Sequence, residues 1–430
     1  MRFVKIVCFS FVLFGPICCL KADDAATKAS LQMAGELFQQ GKFEEAEYRY
    51  AQLEKDIAVR YDAALHLGAI ALYRNDLEAA ERHLKVALDI VPASKQAKGL
   101  LINVYYRGDK FEEAAPLYRA VGDEVAAKKF ESFKGLKPYQ IDGKADVTRV
   151  PFIITDPLPL IAAKVNGRPV NFLIDTGAAE LFVDPDLVKK ANIHRFGETT
   201  RKGYAGGLKV KTGAGRIDSV TLGQTTIHNV PVQILNTKRF SAVAQGKRVD
   251  GVLGTSLLSH FLATLDYPKG ELVLRPKTPE QLSQIEEQTK KGQGTVMPFW
   301  MAGDHFMVTW GKVNQSLPLL FFVDTGLAGG GFVCPPSTLK DADIKSPQGS
   351  EVEGIGGGGQ LKATAFTVQE LSLGGVEARQ IQAYLGVFPP TLEYGEGFRI
   401  AGIVSHEFFR PYAVTFDFQG MRLFVTHGKP

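Results

Sequence analysis

An internal duplication constrains this chain more than any other feature. Asn171-Phe-Leu-Ile-Asp-Thr-Gly177 returns as Leu320-Phe-Phe-Val-Asp-Thr-Gly326. Ser219-Val-Thr-Leu-Gly223 returns as Glu370-Leu-Ser-Leu-Gly374, and Asp250-Gly-Val-Leu-Gly-Thr-Ser256 as Ala401-Gly-Ile-Val-Ser-His-Glu407. Leu265-Asp-Tyr267 returns as Phe416-Asp-Phe418. The offset is 149 residues at the first pair and 151 at the other three. Four pairs in one order at a near-constant offset mean two homologous halves. From Val150 onward, short alternating apolar runs are separated by Gly, Asn and Pro turns, the pattern of β structure. The expected body is therefore all-β and bilobal, with lobes at 148–276 and 294–428 and a linker helix at 277–293. Thr278 is placed to cap that helix, with Pro279 first in it, Gln281 at the reciprocal capping-box position and Gly292 beyond its end.

The duplicated Asp-Thr-Gly carries chemistry. One such tripeptide arises by chance in roughly one chain in twenty of this length. Here it occurs twice, each time after an apolar strand and at equivalent points of a duplication. Burying an unpaired carboxylate is costly, so each acid needs a partner. If the halves are related by a pseudo-two-fold axis, Asp175 and Asp324 meet there. Two close carboxylates do not both stay ionised, so they share a proton and titrate as a pair. The charged member can take a proton from water while the protonated member polarises a carbonyl. That is amide hydrolysis without metal, cofactor or covalent intermediate. Thr176 and Thr325 can hydrogen-bond across the axis. Gly177 and Gly326 allow the tight turn and leave N–H groups to hold the carboxylates.

On these motifs the body, roughly residues 150 to 428, resembles the retropepsin-like aspartic proteases in a single-chain, two-lobed layout comparable to pepsin. The resemblance implies an acid-protease fold of two β-barrel-like lobes. It also implies substrate-binding flaps at the Gly-rich segments Gly203-Tyr204-Ala205-Gly206-Gly207 and Gly354-Ile355-Gly356-Gly357-Gly-Gly359. Tyr204 at a flap tip is either a substrate contact or a packed hairpin aromatic. The apolar pairs Val252-Leu253 and Ile403-Val404 correspond to the strand behind the catalytic loop, and Asp266 and Asp417 to structural turns. Two positions depart from the family pattern, both in the second half. Leu327 stands where Ala or Ser is usual, and Ser405 stands where Gly is usual.

Residues 28–135 read as helices with an internal repeat. Phe43, Leu77 and Phe111 are 34 positions apart, as are Ala46, Ala80 and Ala114, and Ala34 and Gly68 share the spacing. A 34-residue period with small residues where helices cross resembles the tetratricopeptide repeat. The segment is expected to be an all-α solenoid, serving either as a surface for a protein partner or as a spacer.

The first 22 residues combine Arg2 and Lys5, an apolar run from Ile6 to Leu20 and Ala22, which reads as a secretory signal peptide. A retained membrane anchor is the alternative, although the run is short of the roughly 20 residues a span needs. Of four cysteines only Cys334 lies beyond this region, so the mature chain has no disulfide and Cys334 reads as a buried apolar residue. The expected location is periplasmic or secreted. A net charge of +4 over 430 residues, with no basic stripe, argues against nucleic acid. Gly354 to Gly359 satisfies G-x-G-x-x-G, but the alternating Leu361–Val368 that follows is no helix, against a dinucleotide site. His406 lacks a second His four residues on, against a zinc helix, and reads as a surface or packing residue. Trp300 and Trp310 read as core. Two functions follow: an exported aspartic endopeptidase acting on extended polypeptides, or a catalytically degenerate, peptide-binding relative with the repeats as its interaction scaffold.

Overall fold

The 34-residue spacing is visible as helix starts. Phe43, Leu77 and Phe111 are the first residues of α2 (Phe43–Leu53), α4 (Leu77–Ile90) and α6 (Phe111–Val121). They alternate with α1 (Ile17–Gln39), α3 (Arg60–Tyr73) and α5 (Lys95–Arg107), and α7 (Glu124–Glu131) follows. Each turn within a pair uses one left-handed residue, Gly41 (φ 76°), Asn75 (φ 63°) or Asp109 (φ 55°), two positions before the next helix. Gly, Asn and Asp are the residues that tolerate this conformation. Ala46, Ala80 and Ala114 are fully buried. A Cβ on Gly68 would lie 2.6 Å from Leu84, so α3 and α4 pack closely only because that position is bare. The computed structural model describes residues 17–142, 147–202, 208–345, 347, 349–356 and 359–427, with backbone alone for 17–24, 201–202 and 355–356.

Behind the helical region lies a large β-rich body. In its first half, strand Arg168–Ile174 runs parallel to Gly251–Leu253, with Phe172 opposite Gly251. In its second half, Leu319–Asp324 runs parallel to Gly402–Ser405, with Phe321 opposite Gly402. These registers are equivalent under the duplication. The halves join edge to edge where Leu262–Asp266 pairs antiparallel with Tyr412–Asp417. Thr264 stands opposite Thr415, its own counterpart 151 residues on, and the two hydroxyls are 2.7 Å apart. Each of these strands thus pairs with its own counterpart in the duplication. Asp266 and Asp417 close their hairpins by accepting the N–H of Lys269 (3.1 Å) and of Gly420 (2.8 Å).

Helix Pro279–Lys291 lies between the halves. Thr278 accepts the Gln281 N–H at 3.3 Å, but Gln281 Oε1 is buried without a partner, so only one half of the expected capping box forms. Cys334 is buried and its thiol is pushed up to about 12 by burial. His406 is 2% exposed, packs edge-on against Tyr267 and bonds Asp156, so it is interior rather than surface. Trp300 is buried and Trp310 half-buried, both against helical residues. No described helix is long and apolar enough to cross a membrane. Residues 1–16, most of the segment expected to be a signal peptide, lie outside the described part.

One apolar core runs through both halves and takes in Tyr106, Phe111, Phe130 and Phe133 from the helices. A second is shared between α1–α6 and the second half, where Phe43 meets Trp300 and Phe398 edge-on at 4.9 and 5.0 Å. Apolar faces of the helices are therefore covered by the β body.

Candidate active site

Two equivalent strands deliver the two acids. Asp175 follows strand Arg168–Ile174 and Asp324 ends strand Leu319–Asp324. Each backbone then turns sharply. Gly177 N–H donates to Asp175 Oδ1 at 2.7 Å, and Gly326 N–H to Asp324 Oδ1 at 2.8 Å. The threonines cross over. Thr176 N–H donates to Thr325 Oγ1 at 3.0 Å, and Thr325 N–H to Thr176 Oγ1 at 3.1 Å. Thr176 Oγ1 also donates to Val323 O at 3.2 Å. The two loops are thus tied by their own main-chain N–H groups, which are buried and need acceptors.

The crossing puts each carboxylate over the other loop's glycine. A Cβ on Gly177 would stand 2.4 Å from Asp324 Oδ1, and one on Gly326 would stand 2.1 Å from Asp175 Oδ1. Any side chain there would displace an acid. Asp324 is 7% exposed and Asp175 half-buried. Burial, and next the facing Asp324 charge, push the Asp175 carboxyl well above its ordinary range. Burial also raises Asp324, but the Gly326 N–H, the shared proton of Asp175 and the His305 imidazole pull it back. The two carboxyls are both raised by burial, and the pair titrates as a unit.

The neighbours of the loops differ between the halves. In the first, Thr255 donates from its N–H to Ala178 O (2.8 Å) and from its hydroxyl to Thr176 O (2.9 Å). In the second, Ser405 Oγ accepts the Leu327 N–H (3.2 Å) and donates to Leu327 O (3.0 Å). The first half has Gly254 at the position of Ser405, and a Cβ there would stand 2.3 Å from Glu180 O. Ser405 is thus a clamp on the Leu327 main chain, and the Leu327 side chain packs into the core shared with the helices. His305 carries no sequence motif and escaped the reading of the sequence. It sits in the turn of a hairpin, bonds Asp304 at 2.6 Å and packs against Phe322, two residues before Asp324.

Antiparallel strands flank both Gly-rich segments. Strands His194–Lys202 and Lys209–Leu222 pair at the first, and Glu351–Gly356 and Gly359–Leu373 at the second. Gly354 pairs with Leu361, Ile355 with Gln360 and Gly356 with Gly359. A Cβ on Gly359 would lie 2.8 Å from Leu208, so the hairpins meet near their tips. Gly203, Tyr204, Ala205, Gly206 and Gly357 lie outside the described residues. Beyond the second loop, a cavity of about 370 Å³ is lined by Gly329, Gln245, Asp156, Glu407 and Arg410.

Residues 161–257 and 310–395 match the aspartyl protease family model. Each segment contains one Asp-Thr-Gly. The chain is 30% identical over 145 residues to DNA damage-inducible protein 1 of Neurospora crassa, a match covering 30% of each chain. It is 32% identical over 114 residues to DNA damage-inducible protein 1 of Phaeosphaeria nodorum, covering 26% of this chain and 24% of that one. The matched part spans less than a third of these relatives' length. Among solved structures, conglutin gamma, a basic 7S globulin from lupine seeds, aligns with a TM-score of 0.37 at 12% identity, over 66% of this chain and 96% of that chain.

Proposed function

We propose that the protein is an aspartic endopeptidase of the two-lobed kind, with Asp175 and Asp324 as its catalytic residues. The observation that carries this reading is the pair itself: two facing acids, one buried and one half-buried, each seated on the other's glycine, with both carboxyls raised by desolvation. The charged member of the pair accepts a proton from water as the water oxygen attacks the scissile carbonyl carbon. The protonated member gives its proton to the carbonyl oxygen. Collapse of the resulting diol then breaks the C–N bond, with one proton passed to the leaving nitrogen. The substrate is an extended polypeptide lying under the two hairpins, held by main-chain hydrogen bonds with side chains in flanking pockets.

The family match at both Asp-Thr-Gly segments supports this reading. Leu327 and Ser405 motivate the binding-only alternative, but the clamp they form favours an intact second loop. The helical region is read as three tetratricopeptide-like pairs closed by α7. The leader, with Arg2, Lys5 and the run from Ile6 to Leu20, supports export, and cleavage after Ala22 would shorten α1 from its N-terminal end. N-terminal sequencing of the mature protein tests that point.

The decisive experiment is digestion of an unfolded protein across acid to neutral pH. Wild type should cleave with a bell-shaped pH profile. Asp175→Asn and Asp324→Asn should each lose at least about a thousandfold in kcat. Binding without cleavage by wild type, or undiminished cleavage by either variant, would sink the proposal.

A further inference from the structure

The pseudo-two-fold symmetry breaks at the attachment of the helical region. Ser256 and Glu180 of the first half correspond to Glu407 and Gly331 of the second. In the second half Ser405 holds the catalytic loop from within. In the first half Thr255 and Ser256 hold the equivalent loop from within, and the helical region adds contacts from outside. Lys129 on α7 donates to both oxygens of Glu180, at 2.7 and 2.9 Å, and both side chains are 5% exposed. Glu180 lies five residues beyond Asp175. Ser256 Oγ donates to Ala179 O at 2.6 Å, and its N–H donates to the same carbonyl at 2.8 Å. The Tyr106 hydroxyl of α5 lies 2.8 Å from Ser256 Oγ. A serine hydroxyl has one proton to give. That proton goes to Ala179, so Tyr106 is the donor in its own bond. A directed chain therefore runs from Tyr106 through Ser256 to the backbone of the Asp175 loop.

We propose that the helical region is a working part of the active site, with Tyr106 and Lys129 as positioning residues that hold the Asp175 loop in register with the Asp324 loop. The inference rests on the aspartic protease reading above. The helical region adds an outer hold on the Asp175 loop to those that Thr255 and Ser256 supply from within. Its role toward the β body is then a brace, and the helix faces that the body covers are not free for a partner. Misplacement of a reacting group by a fraction of an ångström lowers turnover more than it lowers binding.

Tyr106→Phe removes one oxygen and keeps the ring. Measured on the full chain, kcat should fall about five- to tenfold, with KM and melting temperature nearly unchanged. Ser256→Ala should lower kcat similarly, and the double variant should be no worse than the more affected single one, because both cut the same chain. Replacing both members of the buried ion pair, Lys129→Met with Glu180→Leu, keeps the site packed and should also lower kcat while the protein stays folded. Asp175→Asn is run alongside. If wild type cleaves and Tyr106→Phe and the double replacement turn over at the wild-type rate, the brace is wrong and the protease reading stands. A kcat loss matched by a proportional loss of folded protein also overturns it, because it would mark these residues as merely structural. If wild type shows no Asp175-dependent cleavage, the protease reading falls and this inference falls with it.

Discussion

Gly326 has no room for even a methyl group, because a Cβ there would stand 2.1 Å from the Asp175 carboxylate. Gly326→Ala must move either the second loop or the acid. Activity on an unfolded protein is expected to fall at least about a hundredfold, since a shift of about 1 Å at a reacting group costs that much; near wild-type kcat would refute the placement. The charges make a second test. Burial raises the folded pKa of Asp175, so the folded state holds a proton that the unfolded state has released. This contribution to stability is full below the unfolded carboxylate pKa of about 3.9 and is lost as pH rises through the folded value. Asp175→Asn is neutral throughout, so it should melt higher than wild type near neutral pH, and the gap should close in acid. Calorimetry from pH 3 to 8 reads this directly, and a gap that widens in acid would contradict the assignment. The aspartates, threonines and glycines were legible in the sequence because the chemistry fixes their types and their duplication fixes their places. Ser405 showed only as a departure from the family pattern, and its role did not, because its bonds to Leu327 depend on a loop contact across 78 residues.

Elements were legible where a local signal marks them. The repeat turns show because Gly41, Asn75 and Asp109 each supply a left-handed residue at a constant spacing. The pairing of Leu262–Asp266 with Tyr412–Asp417 had no such signal, because register between strands 150 residues apart is set by the fold, not by the turn. The docking of α5 was equally hidden. Arg107, its last residue, donates to Leu72 O at 2.7 Å and reaches Met301 O and Gly303 O in the hairpin that carries His305. Burial lowers its pKa to about 10, with Asp304 opposing the shift, so it remains charged at neutral pH. Arg107→Met would take a donor from three carbonyls; Leu72 O keeps the Asn75 N–H, while Met301 O and Gly303 O would cost about 1–3 kcal/mol each where water does not reach. The expected loss of stability is about 3 kcal/mol by urea unfolding. Arg107→Lys should recover only part of it, because an ammonium cannot span all three acceptors. Full recovery by Lys would mean that the charge alone matters.

At the scale of the molecule, the helical region and the β body share their cores. Trp300, Phe322, Phe388, Leu392, Phe398 and Ile400 of the second half lie in one apolar cluster with Phe38, Phe43, Ile70 and Tyr73 of the helices. Fully burying one such side chain is worth about 1.5–3 kcal/mol. If the helices cover half of that burial, removing them costs the body roughly 5–9 kcal/mol, comparable to the net stability of a whole domain at about 5–15 kcal/mol. The exposed patch would also be large enough to drive association. Residues 147–430 expressed alone are therefore expected to lack a cooperative melting transition, to bind a hydrophobic dye and to aggregate. Within the full chain, Phe398→Ala tests the same contact without truncation. It removes a fully buried ring that meets Phe38, Phe43 and Tyr73, and should cost about 3–5 kcal/mol. A β body that folds, stays monomeric and melts as sharply as the full chain would show that the helices are an appendage, and the shared core would then have to be read as a late, dispensable docking surface.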